Sequence, residues 1–319
     1  METSETQQLP VTKVAFLFPG QGTQSVGMGK TLYEESPAAR EVLDEIDDAL
    51  DLRITQLMFN GPEQDLSMTL NAQPAIFASS LACLAAMKEM NKRFDIEVSP
   101  AFVAGHSLGE YTALVASNVL TVRDAARLIR ERGRLMQNAS NETAGGLAAV
   151  IGLDELTVEE VCRETGTNIS TVNSLEQVVI GGSQVALARA MDLCSARGAK
   201  KLVRLQVSGA FHTNLMAPAA EGLAQAIHGV KFNDPSVPVV ANCSGHPLNT
   251  KNSARKELMR QLCNCVHWRR SMDYLSGAGV NVYYEIGPGK VLTGLAKRSN
   301  PDAVTVTVND METVKALAG

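Results

Sequence analysis

Residues 101–117 read AFVAGHSLGEYTALVAS. Residues 101–104 form a short unbroken apolar run, the appearance of a strand buried on both faces of a parallel sheet. Residues 110–117 carry helical spacing, and Gly105-His106-Ser107-Leu108-Gly109 joins the two. G-x-S-x-G between a strand and a helix is the pattern of a nucleophile elbow. Small residues two before and two after the serine permit a strained turn that lifts its hydroxyl clear of the backbone. The hydroxyl then stands at a helix N-terminus, where unpaired N–H groups and the positive dipole end stabilise a developing oxyanion. The plainer reading of the same residues is a turn serine capping a helix.

Other apolar runs resemble the first. Residues 14–18 end at Pro19-Gly20, and residues 237–241, 282–286 and 303–308 follow later, mostly separated by helical periodicity or longer insertions. Strand and helix in alternation predict an α/β fold with a parallel sheet. Between 145 and 205 the rhythm changes. Residues 147–151, 169–172, 178–180 and 201–205 are strand-like, while 156–164 and 185–196 are helical. This β-α-β-β-α-β order is the split unit of ferredoxin-like domains. The expected organisation is a discontinuous large domain, 1–144 and 206–319, carrying a ferredoxin-like small domain at 145–205. Gly145-Gly146 and Ser208-Gly209 are the expected hinges, because glycine tolerates the dihedrals a domain crossing needs.

At 319 residues, 45% hydrophobic and 20% charged, the chain has material for a full core. Lys+Arg total 29 against Asp+Glu 34, a net charge of -5, which disfavours nucleic acid as a partner. METSETQQLP at the N-terminus has no basic, then apolar, signal pattern. The most apolar helix candidate, residues 74–87, is interrupted by Ser79 and Ser80 and falls short of the ~18 apolar residues of a membrane span. A soluble cytoplasmic protein with no membrane partner is therefore expected. The 6 cysteines make no Cys-x-x-Cys pair and read as reduced thiols. Cys243-x-x-His246 and Cys263-x-Cys265-x-His267 lack convincing zinc spacing, so no metal is expected. Gly20-Gln21-Gly22 has Ser25 where a dinucleotide loop needs its third glycine, and Gly287-Pro288-Gly289-Lys290 is followed by Val291, not Ser or Thr. No nucleotide cofactor is expected from either.

Two further residues carry chemistry. Arg132 shares a helical stripe with Ala125, Leu128 and Leu135, so its guanidinium faces inward. It reads either as a structural ion pair or snorkelling stem, or as a fork for a substrate carboxylate. His212, in Ser208-Gly209-Ala210-Phe211-His212, reads as a general base, or as a buried or capping histidine. His106, beside the serine, borders the same pocket on this reading. His228, His246 and His267 have no evident role.

FPGQGTQ at 18–24, GHSLGEY at 105–111, RGRLMQ at 132–137, SGAFH at 208–212 and EIGPGKVLTGL at 285–295 together resemble the malonyl-CoA:acyl carrier protein transacylase family, over about residues 13–298. The resemblance implies an α/β-hydrolase-like large domain with a ferredoxin-like small one and an active site in the groove between them. It implies Ser107 as nucleophile, His212 as general base, and the N–H groups of Gln21 and Leu108 as oxyanion hole. Arg132 would bind the malonyl carboxylate, and the backbone carbonyl of Gln261 would orient the base. Asn173 would line the cleft, and the Phe211 ring would leave little room for an α-methyl branch. Malonyl-CoA and acyl carrier protein are the implied partners, with no cofactor, in fatty acid biosynthesis, and the chain is expected to act as a monomer. Lys200, Lys201, Arg204, Lys297 and Arg298 are candidate groups for CoA phosphates and an acidic carrier. Leu175 and the segment Cys265-Val266-His267-Trp268 depart from the family pattern. The alternatives are a serine esterase or thioesterase, a polyketide malonyl loader, and a catalytically silent carrier-binding subunit. Against the esterase, His212 stands far from the chain's end, where hydrolases of that order place their histidine.

Overall fold

The computed structural model describes residues 12–318. METSETQQLP, read above for a signal, lies outside the described residues. Among the described residues the strands are β1 (Val14–Phe18), β2 (Phe102–Gly105), β3 (Gly145–Ile151), β4 (Asn168–Ser174), β5 (Gln177–Ser183), β6 (Lys201–Arg204), β7 (Val239–Val240), β8 (Pro247–Leu248), β9 (Val282–Ile286) and β10 (Val304–Val308). Six form one sheet in the order β10-β9-β1-β2-β7-β8, parallel except for β8, which runs antiparallel to β7.

The unbroken apolar run of β1 follows from burial on both faces. Ala15 and Leu17 join a cluster with Trp268, Tyr283 and Leu295, while Phe16 and Phe18 join the larger core with Phe77 and Ile129. The helices Thr69–Phe94 and Val122–Glu142 supply the larger core, and Trp268–Gly277 and Val291–Ser299 the other layer. This is an α/β protein, as the alternation predicts.

A separate antiparallel sheet runs β4-β5-β3-β6. Ala148, Val150, Val178 and Ile180 on one face pack against the helices Glu155–Thr165 and Gln184–Ala196. The alternate residues Leu147, Ala149 and Val179 turn the other way, into the larger core with Phe211. The small sheet is also tied through backbone to the segment just before the Trp268–Gly277 helix: Val172 N–H donates to the Val266 carbonyl (2.9 Å) and Val266 N–H to the Ser170 carbonyl (3.0 Å).

Several expectations are corrected. Gly145 and Gly146 are not a hinge loop; they lie inside β3, opposite Ser183 and Gly182. What demands glycine there is proximity: a Cβ on Gly145 would lie 2.9 Å from Ala210 Cβ, and one on Gly209 would lie 2.0 Å from Ser140 Oγ. The strand expected at 237–241 shortens to Val239–Val240, because Ala241 already bonds to His246 in the turn towards β8. Cys243 therefore lies past the strand. The apolar helix is also longer than the sequence suggests. Thr69–Phe94 is long and apolar enough to cross a membrane, yet 83% of its most apolar window is buried in the fold, Ser79 and Ser80 included. Pro74 sits inside it and leaves the Leu70 carbonyl without its helical donor. Arg130 Nη1 supplies one at 2.8 Å.

The carboxyl ends of β1, β2, β7 and β9 lead to the turns at Gly20, Gly105, Asn242 and Gly287, where open parallel sheets bind ligands. At the 105–109 turn, a Cβ on Gly105 would meet the Gly109 carbonyl at 1.9 Å, and one on Gly109 would meet the Phe18 carbonyl at 2.0 Å. Both obstacles are backbone. Gly105→Ala is expected to cost about 3 kcal/mol of stability in urea unfolding, as overpacking does. Gly277→Ala, with open space around its Cβ at an exposed helix end, should gain about 0.4–1 kcal/mol. Equal unfolding midpoints for the two variants would remove the steric account.

Candidate active site

Ser107 occupies the left-handed backbone region, φ 53°, as a nucleophile elbow requires. Its N–H donates to Asn242 Oδ1 (2.7 Å), and its carbonyl accepts from Gln261 Nε2 (2.7 Å). The turn is thus clamped on both sides by side chains from distant segments. The hydroxyl is left free to point at His212, with Oγ 2.7 Å from Nε2.

His212 also has a positive φ, 58°. Its Nδ1 lies 2.9 Å from the Gln261 backbone carbonyl, which can only accept. The proton therefore sits on Nδ1, and the Nε2 lone pair faces the serine hydroxyl. Burial, with the Arg132 guanidinium adding to it, pushes the imidazole down to about 3, against the pull of the Gln261 carbonyl. The ring is neutral at neutral pH and available as an acceptor.

Arg132 lies on the Val122–Glu142 helix, which Thr121 caps by accepting from the Asp124 N–H (3.1 Å). The helical stripe carries its side chain inward until it has no exposed surface. Its partners are neutral oxygens. Nη1 donates to Gln73 Oε1 (2.7 Å), and Nη2 to Gln261 Oε1 (3.0 Å) and Ser107 Oγ (3.2 Å). The guanidinium also lies 5.5 Å over the Tyr111 ring. Its Nε has no hydrogen-bond partner among the described residues. Burial lowers its pKa, while Tyr111 and Glu110 oppose that effect. A guanidinium held by neutral groups beside a hydroxyl is poised to take an anion.

A cleft of about 240 Å³ is lined by Ser107 and His212 together with Gln21, His106, Asn173 and Phe211; Arg132 is not in its lining and reaches it only through the Ser107 hydroxyl. His106 Nε2 lies 3.0 Å from Asn173 Oδ1, and its ring packs against Trp268. Leu108 is buried at the start of the Gly109–Ala116 helix, beneath the serine. Gln21 packs its side chain on Thr69, with Nε2 3.1 Å from Oγ1. Ser107, His212, Arg132 and Gln261 therefore meet directly, and the other residues surround them.

The basic candidates are not gathered in the same way. Lys200 pairs with Glu176, and Arg204 donates to Gln184. Arg298 Nη1 donates to Gln177 Oε1 (2.9 Å), a residue of the cleft lining, which places it at the margin. Leu175 is exposed at the turn between β4 and β5.

Sequence reasoning missed Asn242, Gln73 and the part played by Glu110. Asn242 has no exposed surface and donates through Nδ2 to the Gly105 carbonyl (2.7 Å) and Glu110 Oε1 (3.1 Å). Its signal was its place just past a parallel strand's carboxyl end. For Glu110 the signal was an acid in an otherwise uncharged helix, residues 109–116. Gln73 has no such signal.

An acyl transferase domain model matches residues 15–316. The malonyl CoA-acyl carrier protein transacylase of Bacillus subtilis strain 168 is 40% identical over 310 residues, covering 96% of each chain. The acyl-carrier-protein-S-malonyltransferase of Bartonella henselae superposes with a TM-score of 0.89 at 42% identity, covering 96% of this chain and 98% of that one. A malonyl-transacylase solved with its holo type II polyketide acyl-carrier protein gives a TM-score of 0.90 at 37% identity, covering 96% and 98%. A serine and a neutral imidazole lining one cleft, with a buried guanidinium on the serine hydroxyl, in a chain alike over nearly its whole length, place it in the acyl transferase family, among the malonyl CoA-acyl carrier protein transacylases.

Proposed function

We propose that the chain moves a malonyl group from malonyl-CoA to the phosphopantetheine thiol of acyl carrier protein, supplying fatty acid assembly. The observation that carries this reading is Arg132 Nη2 at 3.2 Å from Ser107 Oγ, on a guanidinium with only neutral oxygens for partners. An acyl group esterified to that oxygen and ending in a carboxylate brings its charge within the fork's reach.

In the first half-reaction Ser107 Oγ attacks the thioester carbonyl while its proton passes to His212 Nε2. The N–H groups of Gln21 and Leu108 receive the oxyanion. The C–S bond breaks, the CoA sulfur takes the proton from Nε2, and a malonyl-serine ester remains. The carrier thiol then gives its proton to Nε2, attacks the ester carbonyl, and Ser107 leaves with that proton. The Gln261 carbonyl holds the ring in one tautomer throughout, in the place of a triad's carboxylate. Phe211 closes the cleft against branched acyl groups, and His106 and Asn173 line its wall. We read the architecture as a hydrolase-like unit, residues 1–144 and 206–319, carrying a ferredoxin-like unit at 145–205, with the cleft between them.

Intact-mass analysis tests the reading. Mixing the protein with malonyl-CoA should add one malonyl group at Ser107, and phosphopantetheinylated carrier should remove it. Ser107→Ala should capture none; a label on another serine would refute the nucleophile. Arg132→Ala should erase about one to two decades of preference for malonyl-CoA over acetyl-CoA, the worth of a charge-assisted pair. Undiminished preference would sink the carboxylate assignment.

The pH dependence follows from the sign of the histidine shift. Only neutral His212 accepts the serine proton, so activity falls as pH drops through its depressed pKa. kcat/KM for malonyl-CoA should stay level from about pH 7.5 to 5.5, where an ordinary histidine would lose most of its activity around ~6.5. An acid limb centred near that ordinary value would contradict the site's electrostatics.

A further inference from the structure

Glu110 has no exposed surface, sits three residues beyond Ser107 and does not itself line the cleft. Its Oε1 accepts from the Asn242 backbone N–H (2.8 Å) and from Asn242 Nδ2 (3.1 Å); its Oε2 accepts from Gln261 Nε2 (2.9 Å). All of these partners donate. Three N–H groups converge on its two oxygens, so both oxygens accept and each amide facing them turns its NH2 group inwards. Burial, with the neighbouring Glu257 adding to it, holds the Glu110 carboxyl well above the usual carboxylate range, although the Asn242 and Gln261 donors and Arg132 oppose that.

That demand, shared with the Ser107 and Gly105 carbonyls, which can only accept, decides what the other ends of the two amides do. With its NH2 group on Glu110 and on the Ser107 carbonyl (2.7 Å), Gln261 has only Oε1 left, and this accepts from Arg132 Nη2 (3.0 Å). With its NH2 group on Glu110 and the Gly105 carbonyl, Asn242 has only Oδ1 left, and this accepts from the Ser107 N–H (2.7 Å). A flipped Gln261 would set NH2 against guanidinium N–H, two donors facing each other in a buried site.

We propose that Glu110 is a positioning residue that fixes the direction of the Gln261 side-chain amide and thereby aims Arg132 at the acyl carboxylate. This rests on the malonyl reading above and assigns its selectivity a second determinant outside the cleft.

The test is a double-mutant cycle on the ratio of kcat/KM for malonyl-CoA to that for acetyl-CoA, with holo carrier protein as acceptor. Glu110→Gln brings an NH2 group to face one of the two amides, so the ratio should fall about tenfold or more, with the acetyl reaction changed less. Gln261→Met keeps the backbone carbonyl that holds His212 and removes the amide, so it should lower the ratio by a similar factor. The double variant should fall no further than either single one. A Glu110 acting only as a scaffold would lower both substrates alike, and one acting only by charge would have its full effect in the Gln261→Met background; either result overturns the proposal. If Glu110→Gln does not fold, Gln261→Met decides alone, and an unchanged ratio overturns it. Failure of the malonyl reading would appear separately, in the unaltered chain, as no malonyl ester on Ser107.

Discussion

The site hangs on one hydrogen bond whose two ends are both strained. Ser107 and His212 donate and accept across 2.7 Å, and each holds a non-glycine residue in the left-handed region. Such conformations cost about 1–3 kcal/mol each and persist only where the surroundings over-determine them. Here the surroundings come from everywhere in the chain. Asn242 follows β7, Gln261 ends the Lys251–Gln261 helix, and the Gly105–Gly109 contact brings β2 against the start of the next helix. The alignment of the hydroxyl and the imidazole is therefore a property of the whole parallel sheet. Neither local segment would hold it alone.

The Arg132 environment works by the opposite logic to a stable ion pair. A carboxylate partner would satisfy the guanidinium and leave nothing for an incoming anion. Gln73, Gln261 and Ser107 instead offer neutral oxygens, and Tyr111 offers a ring face. These contacts soften the desolvation of the charge without cancelling it. The same positive charge depresses His212, so a carboxylate arriving on Arg132 would both fill the fork and relieve the base of a repulsive neighbour.

The fold was legible where periodicity and local motif coincide. The buried strands β1, β2 and β9, the elbow, and the helix that turns Arg132 inward all follow from short-range pattern. The lengths of elements were less legible. Ser79 and Ser80 interrupt the apolar count at 74–87, yet the helix continues on both sides because the core closes around it. Gly145 and Gly146 look like a flexible crossing and are instead a strand that Ala210 approaches too closely for any side chain on Gly145. In the site, the residues that meet the reacting groups are marked by motif. Asn242, Gln73 and Glu110 hold those groups from behind through side-chain hydrogen bonds to residues far away in sequence. What each does is visible only when donors and acceptors are matched in space.

The short antiparallel strand β8 closes one side of the six-stranded sheet. It is two residues long, and the first is Pro247, which has no N–H to offer. A neighbouring molecule seeking to extend the sheet there finds a ladder with at most one donor and a terminus on either hand. Self-association by edge pairing, the standing hazard of open sheets, is thereby blocked on that flank.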